Sequence, residues 1–203
     1  MGTLTGIIRS RIARDLPDAR SYRGYADLAR AQRLGVDFRI HVRQRTGCRI
    51  AVIAPHGGGI ENGTSEIARA VAGEDLNLYL LEGLRPRHNY HALHLTSHLF
   101  DEPRCLQLIA GCSTVVAIHG CAGTDPQVYL GGRDRRLRDR FARILRIRGF
   151  PARTDGHRFP AARADNVCNR GATGMGVQVE LSEPLRMGAE LARIGAVLRA
   201  ALL

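Results

Sequence analysis

Apolar and polar positions change rhythm several times along this chain, and each change marks an element. From Tyr22 to Gln32 the spacing of Tyr25, Leu28 and Ala29 predicts a helix with one apolar face. Arg49-Ile-Ala-Val-Ile-Ala54 is a short unbroken apolar run, the pattern of a strand buried on both faces. It stops at Pro55-His56-Gly57-Gly58-Gly59, a turn. Thr64 to Ala72 then returns to helical spacing, with Thr64 or Ser65 as the cap and Gly73 as the stop. Leu76 to Leu81 predicts a second strand. His91 to Thr96 alternates, with Leu93 and Leu95 one way and His94 and Thr96 the other, and predicts a third.

A helix over Pro103 to Ala110 follows, then a strand over Thr114 to Ile118 that ends at His119-Gly120, and another over Gln127 to Leu130. The sharpest amphipathic period spans Arg133 to Arg148. There Leu137, Phe141, Ile144 and Leu145 line one side of a helix, and arginines cover the other as a solvated face. Met175 to Leu181 alternates again, with Val177, Val179 and Leu181 opposite Gln178 and Glu180. Leu185 to Leu202 closes the chain as a helix. Strands and helices in alternation predict an α/β fold: a single domain with a central mixed, largely parallel sheet flanked by helices. No polar linker divides the chain, and 203 residues suit one domain, placed at 21–203. Residues 1–20 lack periodicity and read as a loose N-terminal arm.

Composition sharpens this picture in three ways. A hydrophobic fraction of 44% supports a packed core and excludes a disordered chain. The net charge is +11, and all 30 basic residues are arginine. Such a surface gathers anionic partners: nucleic acid, an anionic membrane or an acidic polymer. With only 5% aromatic residues and no zinc-finger spacing, nucleic acid is the weaker of these readings. The cysteines Cys48, Cys105, Cys112, Cys121 and Cys168 are odd in number and include no C-x-x-C pair. Reduced, mostly buried thiols in a cytoplasmic protein are expected, without disulfides or a structural zinc site. Arg9, Arg11 and Arg14 near the start flank no signal-peptide core, and no stretch approaches the ~18 apolar residues of a membrane span.

Two histidines occupy matching places. His56 follows one apolar strand closely and His119 follows another directly, and glycines flank both. If those strands run parallel, both imidazoles reach the carboxyl edge of the sheet, where α/β folds collect their ligands. Glu61 lies on the same glycine-rich loop as His56. One short spacer and one long one suit a catalytic zinc site of the His₂Glu type, in which a fourth position stays open to water. Other hydrolase and nucleotide motifs fail. Counted from Gly57, the dinucleotide fingerprint breaks at Asn62, a phosphate-binding loop needs a lysine the chain lacks, and neither G-x-S-x-G nor H-E-x-x-H occurs.

The string Pro55-His-Gly-Gly-Gly-Ile-Glu61-Asn-Gly-Thr-Ser-Glu-Ile-Ala68 resembles the phage and bacterial poly-γ-glutamate hydrolase family. So do Glu82-Gly83, Leu93-His-Leu-Thr-Ser97, Phe100-Asp-Glu-Pro103, Ile118-His-Gly120, Gly131-Gly132 with Asp134, Asn169-Arg170 and Val177-Gln-Val-Glu-Leu-Ser182. These segments run in the family's order from about Tyr22 to Arg186. The resemblance implies a compact, carboxypeptidase-like fold, with His56, Glu61 and His119 as zinc ligands and Glu180 as general base. It further implies hydrolysis of γ-glutamyl amide bonds in an anionic polymer, poly-γ-glutamate, which would be drawn to the +11 chain. Arg170 and Asn169 are candidates to bind a substrate carboxylate. His94 is a candidate for the edge of the site, with His98 and Glu102 as weaker ones. Two alternatives stay open: a zinc peptidase or amidase acting on peptidoglycan or on a small acyl-amino acid, and a basic nucleic-acid-binding protein.

Overall fold

The computed structural model describes residues 22–203, so the arm expected over 1–20 lies outside the described residues. Its elements run α1 (Tyr25–Ala31), β1 (Phe38–Arg43), β2 (Ile50–Gly58), α2 (Thr64–Ala72), β3 (Asn77–Gly83), α3 (Asn89–Leu93), α4 (Pro103–Ala110), β4 (Thr114–Cys121), β5 (Val128–Gly131), α5 (Arg135–Ile147), β6 (Ala152–Arg153), β7 (Val177–Ser182) and α6 (Gly188–Leu202). The strands form one seven-stranded sheet in the order β1-β3-β2-β4-β7-β5-β6. The four central strands, β3, β2, β4 and β7, are parallel neighbours. β1 joins β3 antiparallel, and β5 joins β7 antiparallel. The sheet is therefore mixed and largely parallel, as the sequence pattern predicts.

Helices cover both faces, which is why residues 50–54 of β2, 78–81 of β3 and 115–118 of β4 are unbroken apolar runs. On one face Val52, Ala54, Val116, Ile118, Val177 and Val179 pack with residues of α2, α5 and α6. On the other, Ala51, Ile53, Tyr79, Val115 and Ala117 pack with residues of α1, α3 and α4. Fully burying a side chain such as Ile53 contributes roughly 1.5–3 kcal/mol, and alternation along each strand feeds both cores. No helix among the described residues is long and apolar enough to cross a membrane. All five cysteines are free.

Several local expectations are corrected. His91 to Thr96 is not a strand. Asn89–Leu93 forms a short helix, held at its start by the Asn89 side chain, which accepts from the Arg85 N–H (3.0 Å) and donates to the Arg85 carbonyl (2.6 Å). His94 to Thr96 is extended but joins no ladder. The alternation of Leu93 and Leu95 with His94 reflects a core on one side and a cavity on the other. Neither Thr64 nor Ser65 caps α2. Gly63 holds that position at φ 87°, where a Cβ would strike the Arg186 carbonyl, and Thr64 and Ser65 serve the preceding loop instead. The Leu185–Leu202 helix is broken: Glu183–Arg186 forms a 3-10 turn before α6 begins. Ala29 is exposed, so the apolar face of α1 is narrower than expected. β1 and the two-residue β6 were unanticipated. β1 does carry a legible alternation, Phe38, Ile40 and Val42 against Arg39, His41 and Arg43.

Candidate active site

The strands carrying the two histidines run further than their apolar runs. Ile50–Ile53 of β2 pairs with Thr114–Ala117 of β4 in parallel, so His56 and His119 emerge together at the carboxyl edge. His119 is still within β4 and lies opposite Glu180 of β7. At His56 the ladder between β2 and β3 shifts register, between Ala54 and Gly57. Such a bulge re-aims side chains, and it accommodates Pro55, which has no N–H to give a central ladder.

The loop after β2 is closed by its own backbone and hydroxyls. Glu61 N–H donates to the His56 carbonyl (2.9 Å), and Thr64 Oγ1 donates to the carbonyls of Glu61 (2.7 Å) and His56 (3.2 Å). Ser65 Oγ accepts from the Gly58 N–H at 3.1 Å. Glu61 thereby folds back on His56. Its Oε1 is 3.1 Å from His56 Nδ1, and its Oε2 accepts from the Gly120 N–H at 2.7 Å and lies 3.7 Å from His119 Nδ1. His56 Nδ1 and His119 Nδ1 are 3.1 Å apart. The three side chains are buried, at 1%, 8% and 2% exposure.

This cluster fits a divalent cation. Tetrahedral bonds of ~2.0–2.1 Å to zinc set ligand atoms about 3.3 Å apart, and the observed spacings of 3.1–3.7 Å bracket that value. His56 Nε2 donates to the Leu95 carbonyl at 2.8 Å, so its Nδ1 presents a lone pair to the cluster. Burial, reinforced by His56 and His94, lowers the His119 pKa to about 3, and its ring is neutral near pH 7. Burial pushes the Glu61 carboxyl up, but the surrounding imidazoles outweigh it and hold the group below the usual carboxylate range. An ionised carboxylate buried against the ring nitrogens of two histidines is a donor set that a cation completes.

Beside the cluster a cavity of about 890 Å³ is lined by His56, Glu61, His119, His94, Gln178 and Glu180 among others. Glu180 sits on β7 with 6% exposure. Burial, and then the charge of Glu61, raises its pKa to about 8, against the pull of Gln178, Arg158 and Arg186. Gln178 Nε2 donates to Glu180 Oε1 at 2.8 Å, and Asn166 Nδ2 donates to Gln178 Oε1 at 3.0 Å, so a short amide chain orients the carboxylate. His94 stacks on His56 with centroids 4.1 Å apart, and its Nε2 lies 3.6 Å from Glu61 Oε1. His98 lines the cavity.

Asn169, Arg170 and Glu102 do not line the cavity. All the hydrogen-bonding capacity of the Asn169 amide goes to backbone: Oδ1 accepts from Arg133 and Gly176, and Nδ2 donates to the carbonyls of Ala161 and Arg163. It braces the loop that does line the cavity. Arg170 directs its guanidinium to the Phe100 carbonyl at 3.4 Å. Glu102 caps α4, accepting from Cys105 N–H at 2.9 Å, and pairs with Arg104. The cavity's own arginines, Arg158, Arg163 and Arg186, were not singled out from the sequence, because nothing local separates them from the others. Arg186 is buried and donates to the carbonyls of Leu181, Asn62 and Cys121, tying the ends of β4 and β7 to the glycine-rich loop.

The fold is that of a single-domain α/β protein with a mixed sheet, and its cavity opens at the carboxyl edge of the central strands. Within that class the match is specific: the profile of the poly-gamma-glutamate hydrolase family covers residues 22–192, and the chain belongs to that family. It is 40% identical over 147 residues to the protein YndL of Bacillus subtilis (strain 168), covering 71% of this chain and 58% of YndL. The prophage-derived YoqZ of the same strain is 38% identical over 140 residues, covering 68% of this chain and 50% of YoqZ. The chain thus spans between half and three-fifths of these curated relatives. Among solved structures, a bacteriophage poly-gamma-glutamate hydrolase superposes with a TM-score of 0.85 at 29% identity, covering 92% of this chain and 97% of that one. A zinc-free structure of YndL superposes with a TM-score of 0.83 at 31% identity, covering 92% and 98%.

Proposed function

We propose that the protein is a zinc-dependent hydrolase that cleaves γ-glutamyl amide bonds of poly-γ-glutamate. The observation that carries this reading is the approach of His56 Nδ1, His119 Nδ1 and the Glu61 carboxylate to within 3.1–3.7 Å of one another, at the edge of a cavity that also holds Glu180. Those three residues would hold the metal. When bound, zinc supplies Lewis-acid polarisation of the scissile carbonyl and makes water acidic enough to react near neutral pH.

The remaining chemistry falls to the chain. Glu180 removes a proton from the attacking water as its oxygen bonds to the amide carbon. As the C–N bond breaks, Glu180 passes that proton to the departing amine nitrogen. Gln178 and Asn166 keep the carboxylate aimed at the cavity. His94, stacked on His56, is placed to donate to a substrate oxygen. Each residue of the polymer keeps a free α-carboxylate, and Arg158 in the cavity lining provides positive charge for it, while Arg163 is paired with Asp165. This takes over the role that the sequence alone suggested for Asn169 and Arg170. The family and the phage structure support poly-γ-glutamate over the peptidoglycan and acyl-amino-acid alternatives.

The deciding experiment compares release of γ-linked fragments from poly-γ-glutamate with hydrolysis of peptidoglycan peptides, before and after chelation. The expected outcome is zinc-dependent cleavage of poly-γ-glutamate, faster than that of peptidoglycan peptides. Equal rates on both, or full activity in chelator, would reject the proposal.

A further inference from the structure

A second, smaller hollow of about 270 Å³ opens beside the catalytic cavity. The two share Ala122, Arg158 and Phe159, so they meet along one wall. Beyond that wall the hollow is bounded by Tyr129, Arg153, Gly156 and His157. Its three rings are packed on one another, with centroids 5.4 Å (Tyr129 to His157), 5.5 Å (Tyr129 to Phe159) and 6.4 Å (His157 to Phe159) apart. The Arg158 guanidinium lies 5.0 Å over Phe159. The rings therefore build a rigid floor, and the charge at its rim is positive. Arg138 and Arg153 both act on the His157 imidazole, opposed there by the acid Asp155. Neither Arg153 nor Arg158 forms an ion pair among the described residues.

We propose that this hollow is a second binding subsite of the groove, taking carboxylate-bearing residues of a polyanionic chain that extends past those held in the catalytic cavity, with Arg153 as a carboxylate partner. The inference rests on the reading of poly-γ-glutamate as substrate. A small acyl-amino acid would end within the first cavity. A polymer leaving it over Arg158 and Phe159 runs directly onto two unpaired guanidinium groups, where each further residue brings an α-carboxylate. A nucleic-acid strand is also anionic, but its bases need open ring faces on which to stack, and here the rings face each other and an arginine.

Arg153 is exposed and sits on a two-residue edge strand, so Arg153→Glu leaves the core untouched. The full chain and this variant are compared on long poly-γ-glutamate and on the shortest γ-linked oligomer that is cleaved. The expected result is a loss in kcat/KM on the polymer that exceeds the loss on the oligomer by about tenfold, carried by KM. Equal losses on both substrates, or no loss on the polymer, would overturn the subsite. Equilibrium binding of poly-γ-glutamate to EDTA-treated protein separates this proposal from the catalytic one. Arg153-dependent binding in a chain that hydrolyses nothing would keep the subsite and reject the activity. Absence of polymer binding, or tighter Arg153-dependent binding of single-stranded DNA than of poly-γ-glutamate, would overturn the subsite.

Discussion

One wall of the catalytic cavity is made of strand ends, and the other is made of loop. On the first, His56, His119 and Glu180 stand on β2, β4 and β7, with Glu61 folded back on them, and all four are buried. Sheet register fixes their spacing: His119 faces Glu180 across a ladder, and His56 meets His119 from a strand whose register shifts just there. On the second wall Arg158, Phe159 and Arg163 lie on the irregular chain after β6, exposed or half-buried, with Asn169 bracing the backbone from behind. The contrast is physical. Gripping a metal and moving a proton require positions fixed to a fraction of an ångström, which rigid strands provide. Attracting a flexible polyanion requires positive charge within reach, which a loop provides.

The largest expected effect breaks the strand wall at its base. Glu180→Gln keeps the shape of the side chain and its neighbours but cannot take a proton, so turnover should fall by a factor on the order of 10²–10⁴ while metal content stays near that of the parent. Atomic absorption beside steady-state kinetics reads both quantities. Loss of metal in this variant would place Glu180 among the ligands instead.

A smaller effect belongs to the loop wall. Arg158→Ser should raise KM for poly-γ-glutamate roughly three- to tenfold with little change in kcat, and should weaken the dependence of KM on salt. A fall in kcat alone would show that the arginine acts on the chemistry, and the division between walls would fail.

The smallest effect is on stability. In the metal-free protein the Glu180 pKa is about 8, above its ordinary value of 4.5. A raised carboxyl favours the protonated form on folding. Its contribution is therefore complete below about pH 4.5 and is lost as pH climbs through about 8. The Tm of chelated protein should drop by several degrees between pH 5 and pH 9 from this source, and Glu180→Gln should flatten that part of the profile. An unchanged profile in the variant would mean that Glu180 is not held protonated.

How much of this was legible in the sequence follows the same division. Apolar runs report burial on two faces, so β2, β3 and β4 could be read directly, β7 could be read from its alternation, and with them came the shared edge where His56 and His119 meet. Glu61 followed from its spacing. Glu180 did not, because Gln178 and Glu180 alternate with Val177, Val179 and Leu181 as they would on a solvated strand face. Only the family resemblance gave it a role, and the face it occupies is a cavity in place of open solvent. Thr64 and Ser65 looked like helix caps because hydroxyls at a helix start usually are. Their bonds instead go to a loop whose shape depends on contacts across the sheet. His91 to Thr96 alternates for the same nonlocal reason, since Leu95 packs into a core and offers its carbonyl to His56, 39 residues earlier. The loop wall carries no periodicity at all. Nothing within a few residues of Arg158 distinguishes it from Arg170, and their separation is a property of the folded chain.

The central claim is that two imidazoles and one carboxylate grip a single cation, and anomalous diffraction from zinc-loaded crystals tests it most directly. The account predicts one strong peak at the zinc edge, within about 2.0–2.2 Å of His56 Nδ1, His119 Nδ1 and a Glu61 oxygen. A peak held by other side chains, or no peak at this cluster in crystals of active protein, would contradict it.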